Sequence, residues 1–310
     1  MAWSRFRSSI VFLFACLFDC LFRRRRRPTG LSMPRIEVDK YLCVGCERCV
    51  LSCPNRLFHV EGAKNIPEPI PDAGEKCISC YHCVAICPVR GISVGNVSGR
   101  QCEPIPTDAV PRFEHIATLL RSRRSIRRFS AKPLDERTLE QMLDVVRWAP
   151  TARNLLPVKW VVVNGRDKMR ELGSLTAEWM RTVEGGLGLA QAWDDGVDHL
   201  LRGAPCLAVA YTEEDALWPE VDCTIAVETL DLSAAAMRIG ACWAGYFIQA
   251  ARHSQPINRW LGLSETQTVQ AALMLGYTDI EIYGHIPVRP ELDVRYIRGT
   301  AKNSQSEPRP

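Results

Sequence analysis

The sequence predicts a protein of mixed helices and strands in two parts, a small cysteine-rich module followed by a larger globular domain. Three observations carry this. Eight of the fourteen cysteines fall into two copies of one spacing, C-x2-C-x2-C-x3-C-P. They are Cys43, Cys46, Cys49 and Cys53 before Pro54, and Cys77, Cys80, Cys83 and Cys87 before Pro88. Further on, apolar residues recur at helical spacing in some stretches and form short strand-like runs in others. Finally, 310 residues with 46% hydrophobic and 24% charged content make an ordinary globular composition of two-domain length.

Residues 1–32 form a leader of doubtful status. Ile10–Phe22 is an apolar run of thirteen residues broken by Asp19, and five arginines follow it. A membrane span needs about 20 residues, and a secretory signal carries its charge ahead of the apolar core. Three readings stay open: a short membrane-surface anchor, a disordered tail, or translation that begins at Met33. The last is favoured. The leader contributes +6 to a net charge of +4, so the rest of the chain stands at −2. That body offers no basic footprint for a nucleic acid.

Residues 33–103 form the cysteine module, rich in turns and poor in helical periodicity. Residues 104–111 are a proline-containing linker. Residues 112–300 are the larger domain, and 301–310 a polar flexible tail. In the larger domain, Phe113, Ile116, Leu119 and Leu120 mark a first helix. Asp135 caps a second with Leu139, Met142, Leu143 and Val146 on its apolar face, closed by Pro150. Val158–Asn164, Cys206–Tyr211 and Thr268–Leu275 read as strands. Asp222–Ile239 is Ala-rich and apolar all round, hence a buried central helix. Glu171–Asp198 carries no motif, and its Gly185–Gly188 run reads as a flexible loop. There is neither a P-loop nor a G-x-G-x-x-G, which argues against a nicotinamide-type Rossmann domain.

The cysteine spacing has a chemical reason. Three cysteines two residues apart on a tight turn converge on one cube, while the fourth leads away to the neighbouring one. This is the run that holds a pair of [4Fe–4S] clusters. A disulfide framework needs an oxidising compartment and does not need the repeated register. A zinc site uses four ligands and leaves four cysteines idle. The motif's pattern assigns Cys43, Cys46, Cys49 and Cys87 to cluster one, and Cys77, Cys80, Cys83 and Cys53 to cluster two. The other six cysteines are ordinary thiols.

A second constellation lies in the larger domain. Five arginines lie between 121 and 128, three of them in the run Arg123-Arg124-Ser125-Ile126-Arg127. Alone, such a run is most often a solvated surface. It is followed in order by Pro150-Thr151-Ala152-Arg153-Asn154, by Gly240-Ala241-Cys242-Trp243-Ala244-Gly245, and by Ile286-Pro287-Val288-Arg289-Pro290. The ordered set resembles the nitroreductase family of FMN-dependent oxidoreductases over about residues 112–299. With the amino-terminal module the chain looks like a ferredoxin–nitroreductase fusion.

The resemblance implies an α+β fold preceded by a ferredoxin-like two-cluster domain, and a homodimer with FMN at its interface. Arg123, Arg124, Ser125 and Arg127 would hold the phosphate, ribityl chain and pyrimidine side of FMN; arginine's planar fork suits phosphate. Pro150, Thr151, Ala152 and Asn154 would approach from the other subunit. Ala244 and Gly245 would present backbone near the flavin N5, and Arg289 is a further phosphate candidate. Two departures stand out. Leu156-Pro157-Val158 replaces the family's frequent Gln-Pro-Trp, and His285 stands where a second basic residue is common. Trp243 and Cys242 read as packing residues. His59, His82 and His115 have no ligand spacing, and no general acid or base announces itself.

The expected function is an iron–sulfur flavoprotein oxidoreductase in the cytoplasm. It would pass electrons between the clusters and FMN and reduce a small organic acceptor of nitro, quinone or enone type. External ferredoxin or NAD(P)H would be the donor. Three alternatives stand beside it: an NAD(P)H-dependent enzyme with the clusters as electron outlet, a non-enzymatic electron-transfer or redox-sensing protein, and a zinc module on a degenerate flavin fold.

Overall fold

The computed structural model describes residues 33–278 and 284–298. The leader, the tail and residues 279–283 lie outside the described residues, so the readings of the leader are not addressed by the structure.

The cysteine module is built from short elements. Strand β1 (Ile36–Val38) is followed by helix α1 (Arg48–Ser52), β2 (Phe58–Glu61), β3 (Ile66–Pro69), α2 (Ala73–Lys76), α3 (His82–Ile86), β4 (Ile92–Val94) and β5 (Val97–Ser98). β1, β4 and β5 form one antiparallel sheet, and β2 and β3 form a hairpin. The core between them is small. Cys49, Cys77 and Cys83 are buried among Leu57, Phe58, Val84, Ile92 and Val94. Cysteine thiols thus occupy places that larger side chains would fill in a bigger domain.

The second part starts with α4 (Phe113–Ser122) and α5 (Glu136–Val146). It continues through β6 (Lys159–Asn164), α6 (Arg166–Met180), α7 (Leu187–Asp194), β7 (Cys206–Glu213), α8 (Pro219–Ala236), β8 (Gly240–Trp243), α9 (Gly245–His253), α10 (Gln255–Trp260) and β9 (Gln267–Gly276). Four strands make one antiparallel sheet in the order β6-β7-β9-β8.

Strand alternation sends side chains to two faces. Leu207, Val209, Ala272 and Met274 pack under α6, α7, α9 and α10, while Ala208, Ala210, Leu273 and Leu275 pack under α5 and α8. An irregularity between Ala210 and Tyr211 skips one residue of β9, so Val269 rejoins the first face despite its odd spacing from Ala272. The fold is α+β, with helices on both faces of an antiparallel sheet.

The expected strands and the central helix are present. Asp135 caps α5 through Thr138 N, as its position before the apolar pattern implies. One expectation changes. Gly185–Gly188 is not simply a loop, because Leu187 and Gly188 open α7. α7 is held by packing: Trp193 lies on α6 at Gly173, where a Cβ would meet the indole. The first helix buries no residue, although its apolar face is well formed. Phe113 is 78% exposed and Leu120 50%.

Candidate functional site

The two cysteine repeats fold into two separate cavities. One is lined by Cys43, Cys46, Cys49 and Cys87, together with Val38, Pro67 and Ile92. The other is lined by Cys53, Cys77, Cys80 and Cys83, together with Leu57, Phe58 and Val94. Each cavity takes three thiols from one repeat and the last thiol of the other. This is the crossed arrangement that the spacing implies. It arises because α1 and α3 pack side by side, and each ends by handing its terminal cysteine across.

Backbone conformation makes the turns. Gly45 and Ser79 take the same left-handed place in the two repeats, at φ +67° and +52°, and Glu47 and Tyr81 do so two residues later. At Gly45 a Cβ would collide with the Lys64 carbonyl, so only glycine fits. Amide hydrogens point at sulfur in both copies. Leu57 N donates to Cys53 Sγ at 3.4 Å and Gly91 N to Cys87 Sγ at 3.3 Å, four residues on in each case.

The donor set fits a polynuclear iron centre. Burial, and then the neighbouring thiols Cys77, Cys80 and Cys53, push Cys83 up to about 12. Burial also raises Cys49, with Cys87 and Cys43 adding to it. Four thiolates facing one another need cationic charge among them to coexist. Among the described residues, no three His, Cys, Asp or Glu side chains converge closely enough to hold a single ion. The thiols surround a volume rather than a point, which suits a cube better than a zinc ion. The described cysteines form no disulfide.

The arginine motif lies along the free edge of β8. Ser125 makes a parallel bridge to Ala241, and Ile126 N donates to Ala241 O at 2.8 Å. This sets Arg123–Arg127 beside the strand that leads to Ala244 and Gly245. Arg123 Nη1 donates to Asp231 Oδ2 at 3.1 Å. Arg124 Nη1 donates to the Arg123 carbonyl at 2.6 Å. Asp231 is 1% exposed, and among the described residues its Oδ1 has no hydrogen-bond partner. Its burial outweighs Arg123 and lifts the carboxyl to about 6. Cys242, raised by burial, is near enough to Arg127 and Arg202 to feel both charges. Among the described residues no hydrogen bond or ion pair engages the exposed Arg127 side chain. Ala244 N donates to Ala272 O at 3.0 Å, and a Cβ added at Gly245 would meet nothing within 4 Å. Open space over a backbone turn, beside exposed arginine, suits a planar phosphorylated ligand.

The Pro150–Asn154 segment lies elsewhere. Ala152 N donates to Asp222 Oδ1 at 2.9 Å, and Leu156 N donates to Thr151 Oγ1 at 3.0 Å. Asn154 Nδ2 donates to Ser79 O at 2.8 Å and Ile78 O at 3.4 Å, in the cysteine module. Pro150 is exposed and makes no tie to the arginines. Arg289 and His285 sit in the exposed, irregular segment 284–298. Among the described residues, hydrogen bonds join the first motif to the third, and tie the second to Asp222 and to the cysteine module. Sequence reasoning missed Asp222, Asp231 and Arg202. Two acids inside an apolar, Ala-rich helix are the signal that marks the first pair.

Comparison with known proteins agrees with this layout. The sequence model of the nitroreductase family matches residues 120–277, and that of the 4Fe-4S dicluster domain matches residues 35–88. A protein of Archaeoglobus fulgidus named as an NADH dehydrogenase/NAD(P)H nitroreductase is 23% identical over 165 residues, covering 53% of this chain and 86% of its own. A like-named protein of Methanothermobacter thermautotrophicus is 21% identical over 158 residues, covering 51% and 74%. Among solved structures, an FMN-bound nitroreductase of Bacteroides fragilis superposes with a TM-score of 0.53 at 19% identity, covering 59% of this chain and 98% of its own. One from Desulfitobacterium hafniense, also with bound FMN, gives 0.50 at 21% identity, covering 59% and 97%. At these identities the likeness is one of fold.

Proposed function

The chain belongs to the nitroreductase family, and on that premise we propose that it is an iron–sulfur flavoprotein oxidoreductase with two [4Fe–4S] clusters and FMN. It reduces a small organic acceptor of nitro, quinone or enone type with electrons that pass through the cysteine module. The observation that carries this reading is the pair of crossed four-thiol cavities in one chain with a nitroreductase domain. When bound, the clusters supply single electrons and FMN supplies either one or two, so the pair matches a one-electron donor to a two-electron acceptor.

The chain's own residues have separable tasks. The eight cysteines bind iron. Arg127, Arg124 and Ser125 hold the FMN phosphate and ribityl groups, with Arg123 kept in place by Asp231. Ala244 and Gly245 leave room for the ring. Pro150, Thr151, Ala152 and Asn154 belong to the half of the site that a second copy completes. Arg289 is a further phosphate candidate on the carboxy-terminal segment.

A homodimer is part of the proposal. Asp222 and Asp231 tie the two half-sites to α8 nine residues apart, roughly 13.5 Å and half a turn round the helix. One chain alone does not close the site. The uncovered apolar face of α4 and the exposed Val288, Leu292 and Ile297 offer surface for a partner copy. Division into residues 33–103 and 112–300, joined by 104–111, is the domain plan proposed. Among the described residues no helix is long and apolar enough to cross a membrane. A cytoplasmic setting is proposed because it keeps such thiols reduced.

A second reading draws on the names of the two relatives, in which NAD(P)H is the donor. Anaerobic purification with iron, sulfide and flavin analysis tests the cofactors. Turnover with NADH, NADPH or reduced ferredoxin then separates the two readings. Protein reconstituted with iron, sulfide and FMN that retains neither metal nor flavin overturns both.

A further inference from the structure

We propose that the two cysteine cavities stand in series, the Cys53, Cys77, Cys80 and Cys83 cavity inward and the Cys43, Cys46, Cys49 and Cys87 cavity outward. Asn154 is the positioning residue that seats the inner cavity on the larger domain. The inference rests on the reading above, in which both cavities hold clusters and the larger domain holds FMN.

The internal repeat supplies its own control. Cys43-Val44-Gly45-Cys46 and Cys77-Ile78-Ser79-Cys80 are equivalent turns with the same left-handed residue at the third place. In the first copy the turn faces solvent: Val44 is 64% exposed and Cys46 is exposed. In the second copy Ile78, Ser79 and Cys80 are each partly covered. The carbonyls of Ile78 and Ser79 accept two hydrogen bonds from one amide, Asn154 Nδ2. The first copy's Gly45 fits against the β2–β3 turn at Lys64, where a Cβ would clash.

Asn154 is held out for this contact. It follows Arg153, and both take left-handed backbone conformations, at φ +52° and +54°. The stretch is fastened behind by the Ala152–Asp222 bond. An amide can donate to two carbonyls, whereas a carboxylate in its place would repel them. The residue that the family resemblance assigns to flavin thus touches the loop between two cluster ligands.

The outward cavity is lined by the exposed Val44, Cys46 and Arg48. A one-electron carrier protein, such as a reduced ferredoxin, meets the chain there. Two carrier molecules each lose one electron. The organic acceptor gains both electrons, with two protons drawn from solvent.

The test uses full-length protein reconstituted anaerobically with iron, sulfide and FMN. Cys46→Ala and Cys80→Ala assign the two reduced-cluster EPR signals, since each variant should lose one. Power saturation is then measured with a soluble dysprosium chelate. The signal lost in Cys46→Ala should be relaxed severalfold more strongly than the signal lost in Cys80→Ala. Asn154→Ala should keep its iron, raise relaxation of the inner signal severalfold, and speed amide exchange at residues 77–82. Equal relaxation of the two signals, or greater access at the Cys80 cluster, overturns the order. Unchanged exchange and relaxation in Asn154→Ala, or loss of FMN alone, overturns the role of Asn154. Absence of iron or FMN in the wild-type protein counts instead against the functional reading beneath.

Discussion

Asp222 and Asp231 lie on one buried helix and hold two different stretches of the candidate flavin site. Asp222 accepts from Ala152 N at 2.9 Å, and Asp231 accepts from Arg123 Nη1 at 3.1 Å. Both side chains are almost wholly buried, and among the described residues each keeps one oxygen without a hydrogen-bond partner. α8 is therefore an anchor for loops as well as a packing element. Burial raises both carboxyls, that of Asp231 to about 6.

The raised Asp231 has a consequence for stability. Unfolded, this carboxyl titrates near its ordinary 3.8; folded, near 6. Between those values the folded protein holds the proton that the unfolded chain has released. Its contribution to stability therefore falls as pH rises from about 4 to about 6, by roughly 3 kcal/mol, and is flat above. Asp231→Asn keeps an acceptor for Arg123 and removes the titration. Denaturant melts of the two proteins at matched pH should diverge in favour of Asp231→Asn by up to that amount between pH 4 and 7. Parallel curves would show that Asp231 is ionised throughout.

Asp222→Ala tests the other anchor. It leaves Ala152 N without its acceptor and should cost about 1–3 kcal/mol. The loss should be local, seen as faster amide exchange at residues 150–156. Asp222→Asn, which can still accept from Ala152, should recover most of the protection. If both variants exchange like wild type, the bond does not hold the loop.

Much of this was legible in the sequence, for identifiable reasons. Cysteine spacing is a local geometric code, so the crossed cavities follow from it residue by residue. Strands β6, β7 and β9 are apolar runs bounded by turns, and α5 has a capped amphipathic face. Helix α7 was not legible because its Gly185–Gly188 opening mimics a loop, while Trp193 packing on Gly173 is a tertiary event. Strand β8 is short and borrows its order from β9. The placement of Asn154 against Ser79 joins residues 75 apart, and no local pattern encodes it. α4 showed the amphipathic signal of a core helix, yet in one chain it has no core to join.

Crossed ligation gives a sharp expectation for the cysteines. The protein should carry about eight irons per chain, from two cubes of four. Cys53→Ala removes the fourth thiol of the cavity formed mainly by the second repeat, whereas Cys87→Ala removes that of the first. EPR of the reduced variants should therefore show Cys53→Ala grouping with Cys80→Ala, and Cys87→Ala with Cys46→Ala. Iron and sulfide in each should fall towards half. Grouping by repeat instead, Cys53 with Cys46, would mean that each run closes its own cluster.

The flavin site separates binding from access. Arg127 is exposed and follows Ile126, which pairs with β8 at Ala241, and in the proposed site its guanidinium meets the phosphate. Arg127→Ala removes a charge-assisted hydrogen bond worth roughly 1.5–3 kcal/mol, or about one to two decades in FMN affinity. Gly245→Val acts differently. The space above Gly245 is open in the chain itself, so the side chain fits the protein and stability should hold. The same side chain occupies room left for the ring, and flavin reduction should slow more than phosphate binding weakens. Fluorescence titration with FMN and with riboflavin distinguishes them. Arg127→Ala should lose the preference for FMN over riboflavin, and Gly245→Val should weaken both alike. Under the proposed homodimer with FMN at its interface, binding should also depend on protein concentration. An Arg127→Ala protein with full FMN preference, or a monomer that binds FMN at full strength, would place the flavin elsewhere.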